Sequence, residues 1–263
     1  MRRINIVIFQ VLLTRLYNTN PTFNEMSIYL LDDDFFDFPP ADLAEEDGLL
    51  AVGGDLIPDR LINAYSSGIF PWYSDGEPIM WWSLDPRMVM KPTEMKVSKS
   101  LRRTIKSGVF SCSIDTNFDK VIEMCANVKR EDQDGTWITE DMLAAYKNLH
   151  RLGFAHSFET YHDNELVGGL YGVSIGSIFC GESMFHIKTD ASKVALNHLC
   201  SFLCKNDFDM IDAQQDTAHF RSLGGYTIPR KDYLQLLNGY IEKPSLVGNW
   251  GDGSARWKQV VIR

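Results

Sequence analysis

The sequence predicts a mixed α/β fold in two parts: a small α+β unit, then a larger mixed and mainly antiparallel sheet flanked by helices. Two observations carry this reading. Helix-like and strand-like stretches alternate irregularly up to Gly153, after which three strand-like runs follow one another with tight turns between them. A long helical run and an isolated strand come next, which turns a hairpin sheet into a mixed one.

Along the chain, Pro39–Pro40 and the acidic run to Asp47 read as an extended lead-in. In "GLLAVGGDL" (Gly48–Leu56), Gly53–Gly54 forces a turn. Residues 58–67 predict a short helix, with Pro58 in its first turn and Gly68 as its stop. Gly68–Ser83 is an aromatic loop-and-strand region, and "RMVMKP" alternates like a strand. Ser98 suits the cap of a basic helix ending at Gly108. Further helices are expected over about Phe118–Val128 and, capped by Thr139, over Glu140–Arg151.

"FAHSFETYH", "LVGGLYGVSI" and "SIFCGESMF" predict three strands joined at His162–Glu165 and Ser174–Ser177, where Asn and Gly suit hairpin turns. A helix over Ala191–Lys205 follows, then the strand "DMIDAQ", a short helix around Thr217–Leu223, the strand "GYTIPR" and a helix over 231–241. The expected division is a dispensable extension at 1–25, a small domain at 26–95, the larger domain at 96–245 and a tail at 246–263. Met26 is a second plausible beginning, and Met1–Leu16 lacks the clean apolar run and small-residue cleavage site of a signal peptide.

With 44% hydrophobic and 23% charged residues, the 263-residue chain has the composition of a soluble globular protein able to bury a real core. Its net charge of −9 argues against broad nucleic-acid binding, which needs a positive surface. The charge is uneven, however. Asp32–Asp59 holds ten acids and no base, whereas Arg87–Lys106 holds seven bases and one acid, Glu94. That second stretch is either a solvated helix face or a local phosphate-binding patch. The five cysteines form neither a disulfide framework nor a zinc ribbon, and Cys200 and Cys204, one turn apart, are expected as two buried thiols. This usage suits a reducing, cytoplasmic setting. No apolar run reaches the roughly 18 residues a membrane span needs.

The order of three strands, long helix, strand, short helix, "SLGGY" and strand resembles GNAT-type acyltransferases, in which acyl donor and acceptor meet beside a splayed strand pair. Their Gly-rich pyrophosphate loop is missing, since "HIKTDASKVAL" stands in its place, so an acyl-CoA donor is poorly supported. The blocks "GLLAVGGDL", "RLINAYSSGIFPWY", "PIMWWSLDPR", "GTWIT", "MLAAYKNLHRLGFAHSFE", "LVGGLYGVSIGSIFCGESMF", "ASKVAL" and "IDAQ" occur in the order found in leucyl/phenylalanyl-tRNA–protein transferases. The resemblance covers about residues 40–240. It implies transfer of Leu or Phe, and Met less well, from aminoacyl-tRNA to proteins beginning with Arg or Lys. It further implies marking of those proteins for degradation, a cytoplasmic enzyme, and no metal or cofactor.

The donor in such a reaction is an activated ester and the acceptor an α-amine that must be neutral to attack. A carboxylate positions the ammonium and takes a proton, while a polar group holds the oxyanion. Asp212 and Gln214, two apart on one strand, are expected to share a face. By resemblance, Asp212 is the base or electrostatic partner and Gln214 positions the reacting groups. Taken without the resemblance, the pair reads as local hydrogen bonding at a strand end. Glu182, an acid in an apolar strand, is costly unless paired or functional. By resemblance it helps bind the acceptor's N-terminal residue.

The resemblance further implies an aminoacyl pocket of Leu170, Phe179, Met184, Leu199, Leu203 and Ile211, which otherwise read as core. It implies a shelf of Trp72, Trp137 and Tyr146 for the terminal adenosine, and tRNA phosphate contacts from Arg102, Arg103 and Lys106. Family members often carry aromatic residues at Leu199 and Leu203, which leaves Leu-versus-Phe preference open. Trp81 and Trp82 are expected at the domain junction, and His156 and His219 in structural roles. "GESMF" lacks the second glycine of a serine-hydrolase elbow. Competing readings are an acetyl-CoA-dependent acetyltransferase, a non-catalytic tRNA-binding module and an adaptor for N-terminal Arg or Lys. A monomer is expected.

Overall fold

The computed structural model describes residues 28–32, 36–127, 138–251 and 256–258. The expected 1–25 extension therefore lies outside the described residues, as do Val128 and Trp137.

The first part is a four-stranded sheet in the order β1 (Tyr29–Leu31), β2 (Leu49–Gly53), β4 (Met80–Trp82), β3 (Phe70–Pro71). Helix α1 (Pro58–Ser66) packs beside it, with Pro58 at its first turn and Gly68 left-handed beyond its end. Trp81 is fully buried, and its indole N–H donates to Gly53 O at 2.9 Å.

The second part is a seven-stranded sheet in the order β11 (Tyr226–Ile228), β5 (Arg87–Met90), β10 (Met210–Gln214), β9 (Ile178–His186), β8 (Glu165–Ile175), β7 (Ala155–His162), β6 (Ser111–Ile114). Every pair is antiparallel except β9–β10. The expected mixed, mainly antiparallel sheet is therefore present. Because β5 joins this sheet, the chain changes sheets between Trp82 and Arg87, ahead of the boundary expected near residue 95.

Local chemistry explains the elements. The β7–β8 turn places Asp163 and Asn164 at φ 52° and 64°, as a tight hairpin with the strands' twist requires. Ser98 caps α2 (Lys99–Lys106) by accepting from Leu101 N–H at 3.1 Å. Thr139 does the same for α4 (Glu140–Arg151), accepting from Met142 N–H at 3.3 Å. Helix α3 spans Phe118–Ala126.

The long crossover helix α5 (Ala191–Lys205) connects the parallel strand pair of the seven-stranded sheet. Its first turn lies against Gly168 of β8, where an added Cβ would come within 2.5 Å of Ala191 Cβ, so only glycine admits the helix there. After β10 come the short helix α6 (Ala218–Ser222) and the last helix, α7 (Arg230–Ile241).

Two cores cover the sheet. Side chains of α1, α3, α4 and α7, among them Tyr65, Val121, Tyr146 and Tyr233, form one. Leu196, Leu199 and Leu203 of α5 join Phe208, Phe220 and Trp250 in the other. Trp250 lies in the stretch expected as tail, yet it is 5% exposed and stacks on His156 with ring centroids 3.5 Å apart. Leu246 and Val247 of β12 (Ser245–Val247) are buried with it, and β12 pairs with β13 (Arg256–Lys258). Cys200 is buried as expected. Cys204 is exposed, beside Lys205 at the C-terminal end of α5.

Candidate active site

Strands β9 and β10 pair only from Ile178↔Met210 to Cys180↔Asp212. Beyond that point Gly181–His186 stays with β8, while Gln214 goes to β5 across a bulge. The strands splay, and the gap opens into a cavity of about 410 Å³. Its walls are mostly apolar: Phe70 and Trp72 from the first part, Leu170 and Phe179, and Leu196 and Leu199 from α5. Glu182, Ser183 and Gln214 supply polar groups. An apolar hollow with a few convergent polar groups is the common form of a small-molecule site.

Asp212 and Gln214 do not share a face. The bulge between them and a left-handed backbone at Gln214 (φ 52°) break the strand's alternation. Ile211, Ala213 and Gln214 line the cavity, whereas Asp212 does not. Asp212 has no exposed surface and accepts four hydrogen bonds. Arg87 grips it bidentately, Nε to Oδ1 at 2.8 Å and Nη2 to Oδ2 at 2.7 Å. The Tyr233 hydroxyl donates to Oδ2 at 2.9 Å, and the backbone N–H of Gln214 donates to Oδ1 at 3.0 Å. The Arg87 guanidinium also sits over the rings of Phe70 (4.9 Å) and Tyr233 (4.6 Å). Burial is the largest single influence and works against the Arg87 charge, but Asp212 together with Tyr233 and Cys180 outweighs it and the net shift is upward. Arg87, counted in the basic run, is thus a buried clamp and no part of a surface patch.

Glu182 is half-buried at the cavity wall. The Tyr65 hydroxyl donates to its Oε1 at 2.8 Å and the Tyr146 hydroxyl to its Oε2 at 3.2 Å. Burial pushes its pKa up to about 7, partly opposed by these two hydrogen bonds. The Gln214 amide, turned so that both its ends are satisfied, donates to Gly181 O at 2.9 Å, next to Glu182.

Five of the six expected pocket residues line the cavity: Leu170, Phe179, Met184, Leu199 and Ile211. Leu203 is fully buried in the core and not on the wall. It lies a full turn beyond Leu199, past the reach of the hollow. Trp72 lines the cavity. Tyr146 does not, being fully buried with its hydroxyl bonded to Glu182, so it offers no ring face for a base to stack on. His219 lines the mouth, whereas His156 is buried with Nδ1 2.8 Å from Asp115 Oδ2. Arg102, Arg103 and Lys106 are exposed on α2, which lies near the start of α5 through Thr104 and Asp190.

Two family models match the chain. Leucyl/phenylalanyl-tRNA protein transferase covers residues 89–238, and the N-terminal domain of the same family covers 54–85. The chain belongs to the leucyl/phenylalanyl-tRNA–protein transferase family. A leucyl/phenylalanyl-tRNA–protein transferase from Syntrophobacter fumaroxidans is 54% identical over 212 residues, covering 81% of this chain and 90% of that one. Another, from Legionella pneumophila (strain Corby), is 48% identical over 218 residues, covering 83% and 97%. Among solved structures, L-PGS from Bacillus licheniformis aligns with a TM-score of 0.33 at 7% identity, over 64% of this chain and 54% of that one. A GCN5-related N-acetyltransferase from Kribbella flavida aligns at 0.35 and 8%, over 67% and 63%.

This transferase is therefore an aminoacyltransferase, with aminoacyl-tRNA and protein as its substrates. Among the described residues no helix is long and apolar enough to cross a membrane, and no three metal-ligating side chains cluster. Sequence reasoning passed over Tyr65, Tyr233 and the structural role of Arg87. Tyr65, inside "RLINAYSSGIFPWY", and Arg87, which ends "PIMWWSLDPR", carried signal only as parts of family blocks.

Proposed function

We propose that this enzyme moves Leu or Phe, and Met less well, from aminoacyl-tRNA to the N-terminal Arg or Lys of proteins, marking them for N-degron degradation in the cytoplasm. The observation that carries this reading is the apolar cavity between splayed β9 and β10, with Glu182 and Gln214 on its wall. Its size and walls suit a Leu or Phe side chain, which needs dry surroundings. Acceptors beginning with Arg or Lys bring two positive groups, the α-ammonium and the side chain, and Glu182 is the acid on the cavity wall to receive one of them. Gln214, beside Glu182 on the same wall, helps position the reacting groups.

Asp212 acts as a positioner. With four hydrogen bonds it has no free acceptor for an ammonium proton. Its bond to the Gln214 N–H supports a left-handed backbone that otherwise costs about 1–2 kcal/mol. Trp72 offers the terminal adenosine an aromatic face beside the cavity, and Arg102, Arg103 and Lys106 offer tRNA phosphates a cationic helix face. In this reading the chain acts as a monomer, with the small first part serving the catalytic one.

The test is transfer of radiolabelled leucine and phenylalanine from charged tRNA to one protein presented with Arg, Lys or Met at its N-terminus. Label on the Arg and Lys forms and little on the Met form is the expected result. Equal labelling of all three, or acetylation from acetyl-CoA in place of aminoacyl transfer, refutes it.

A further inference from the structure

Three hydroxyl or carboxyl groups meet at the cavity wall, from three separate elements. Tyr65 comes from α1, Tyr146 from α4 and Glu182 from β9. Each phenol hydroxyl reaches one oxygen of Glu182, and the two hydroxyls are also in hydrogen-bond contact with each other. Counting hydrogens decides what this ring is for. With Glu182 ionised there are two O–H hydrogens for three contacts. Both go to the carboxylate, and the two phenol oxygens then face each other with no hydrogen between them. One proton added to Glu182 closes the ring: the carboxyl donates to one phenol, that phenol to the other, and the second phenol back to the carboxyl. Three donors then meet three acceptors. The ring accepts one proton without leaving a buried polar atom unpaired.

We propose that Glu182, Tyr65 and Tyr146 form the proton acceptor of the transfer step, taking the proton that the acceptor's α-ammonium sheds before its nitrogen attacks the ester. This rests on the proposed reading of the site and adds the route of the proton. The ammonium gives one proton to Glu182, and the neutral amine forms a bond to the ester carbonyl carbon. The bond from that carbon to the ribose oxygen breaks, and the departing oxygen takes a second proton from the nitrogen. The products are an amide, a ribose hydroxyl and one proton held on Glu182, which passes to water. Glu182 is the catalytic residue, and Tyr65 and Tyr146 are positioning residues that act through it.

The groups facing Glu182 are consistent with this role. Asp212 on β10 raises its pKa and Arg87 on β5 lowers it, while burial is the largest influence and raises it. Cys180 on its own strand is held neutral by burial, with Asp212 adding to the effect. Tyr171 on β8 packs edge-on to Tyr146 at 5.7 Å. Both ring tyrosines have their own pKa values raised by burial and then by Glu182, so neither competes for the negative charge.

The experiment is the pH dependence of leucyl transfer to an Arg-initiated acceptor by wild type, Glu182→Gln, Tyr65→Phe and Tyr146→Phe, with kcat and KM for the acceptor measured separately. Wild type is expected to lose kcat/KM on the acid side as Glu182 takes up its proton. The acceptor amine titrates too, but its pKa is common to all four proteins, so any displacement of the limb between them belongs to the enzyme. Tyr65→Phe removes a donor that stabilises the carboxylate, so its acid limb moves up by about one pH unit and its rate recovers at higher pH. Tyr146→Phe moves it the same way by less, through the longer hydrogen bond. Glu182→Gln lowers kcat about 10²-fold or more at saturating acceptor.

Limbs that stay in place in both phenylalanine variants, or a Glu182→Gln variant that raises KM alone, overturn the proposal and leave Glu182 as an acceptor-binding group. Wild type that transfers nothing to the Arg acceptor defeats the underlying functional reading instead. The phenylalanine variants keep ring and volume, so a misfolded protein does not stand behind either result.

Discussion

Arg87→Met separates the two roles open to Asp212. The substitution keeps a long apolar stem in the same space and removes the guanidinium. Asp212 is left with the Tyr233 hydroxyl and the Gln214 N–H, in a place with no exposed surface. Breaking a buried pair by removing one partner costs about 3–5 kcal/mol, because the remaining charge is stranded. In a domain of this size each kcal/mol lowers the unfolding midpoint by roughly 2–4 °C, so the midpoint falls by roughly 6–20 °C. Denaturant unfolding of wild type, Arg87→Met, Asp212→Leu and the double variant closes a cycle.

The double variant regains most of the lost stability, since apolar groups of similar volume replace a buried pair at little cost. It does not regain activity. Without the Asp212 carboxylate the Gln214 N–H loses its acceptor, a charge-assisted bond worth about 1.5–3 kcal/mol, and transfer falls about 10- to 100-fold. An Arg87→Met protein as stable as wild type to within about 1 kcal/mol refutes this reasoning. It would mean that Asp212 finds water or another partner, and that its carboxylate is free to act as a base.

Four other outcomes follow from the same geometry. Leu203→Ala and Leu199→Ala each destabilise by about 2–5 kcal/mol as buried truncations, but only Leu199→Ala, on the cavity wall, changes the KM ratio for leucyl- and phenylalanyl-adenosine donors. Trp250→Ala costs about 3–5 kcal/mol in denaturant unfolding, because its ring stacks on His156 and, at 4.6 Å, on Phe202. Burial holds His156 below its ordinary value against the pull of Asp115, so the unfolded chain binds the extra proton. The stability this contributes is complete above about pH 6.5 and drains away as pH falls below that value, and His156→Asn flattens that slope by up to about 1.4 kcal/mol per pH unit. Charge reversal of Arg102 and Arg103 together lowers the salt dependence of tRNA binding by about one unit of slope per lost phosphate contact and leaves kcat at saturating tRNA unchanged.

What the sequence made legible was what lies within a few residues of itself. Ser98 and Thr139 cap the helices they were expected to cap, because a hydroxyl and an N–H three positions on meet by local geometry alone. The hairpin at Asp163–Asn164 and the crossover helix at Ala191–Lys205 are legible for the same reason. The site is a different matter. Arg87 and Asp212 are 125 residues apart, and nothing in a run of seven bases distinguishes the one that meets a buried carboxylate from those that face water. Tyr65 and Glu182 are 117 apart. Strand alternation put Asp212 and Gln214 on one face, and alternation is a rule for regular strands. The bulge that breaks it is itself held in place by Asp212, through the Gln214 N–H. The residue that looked like the base in one dimension is thus the one that bends the strand in three. Its carboxylate is spent on that bend, which leaves the ionisable work in the cavity to Glu182 and its two phenols.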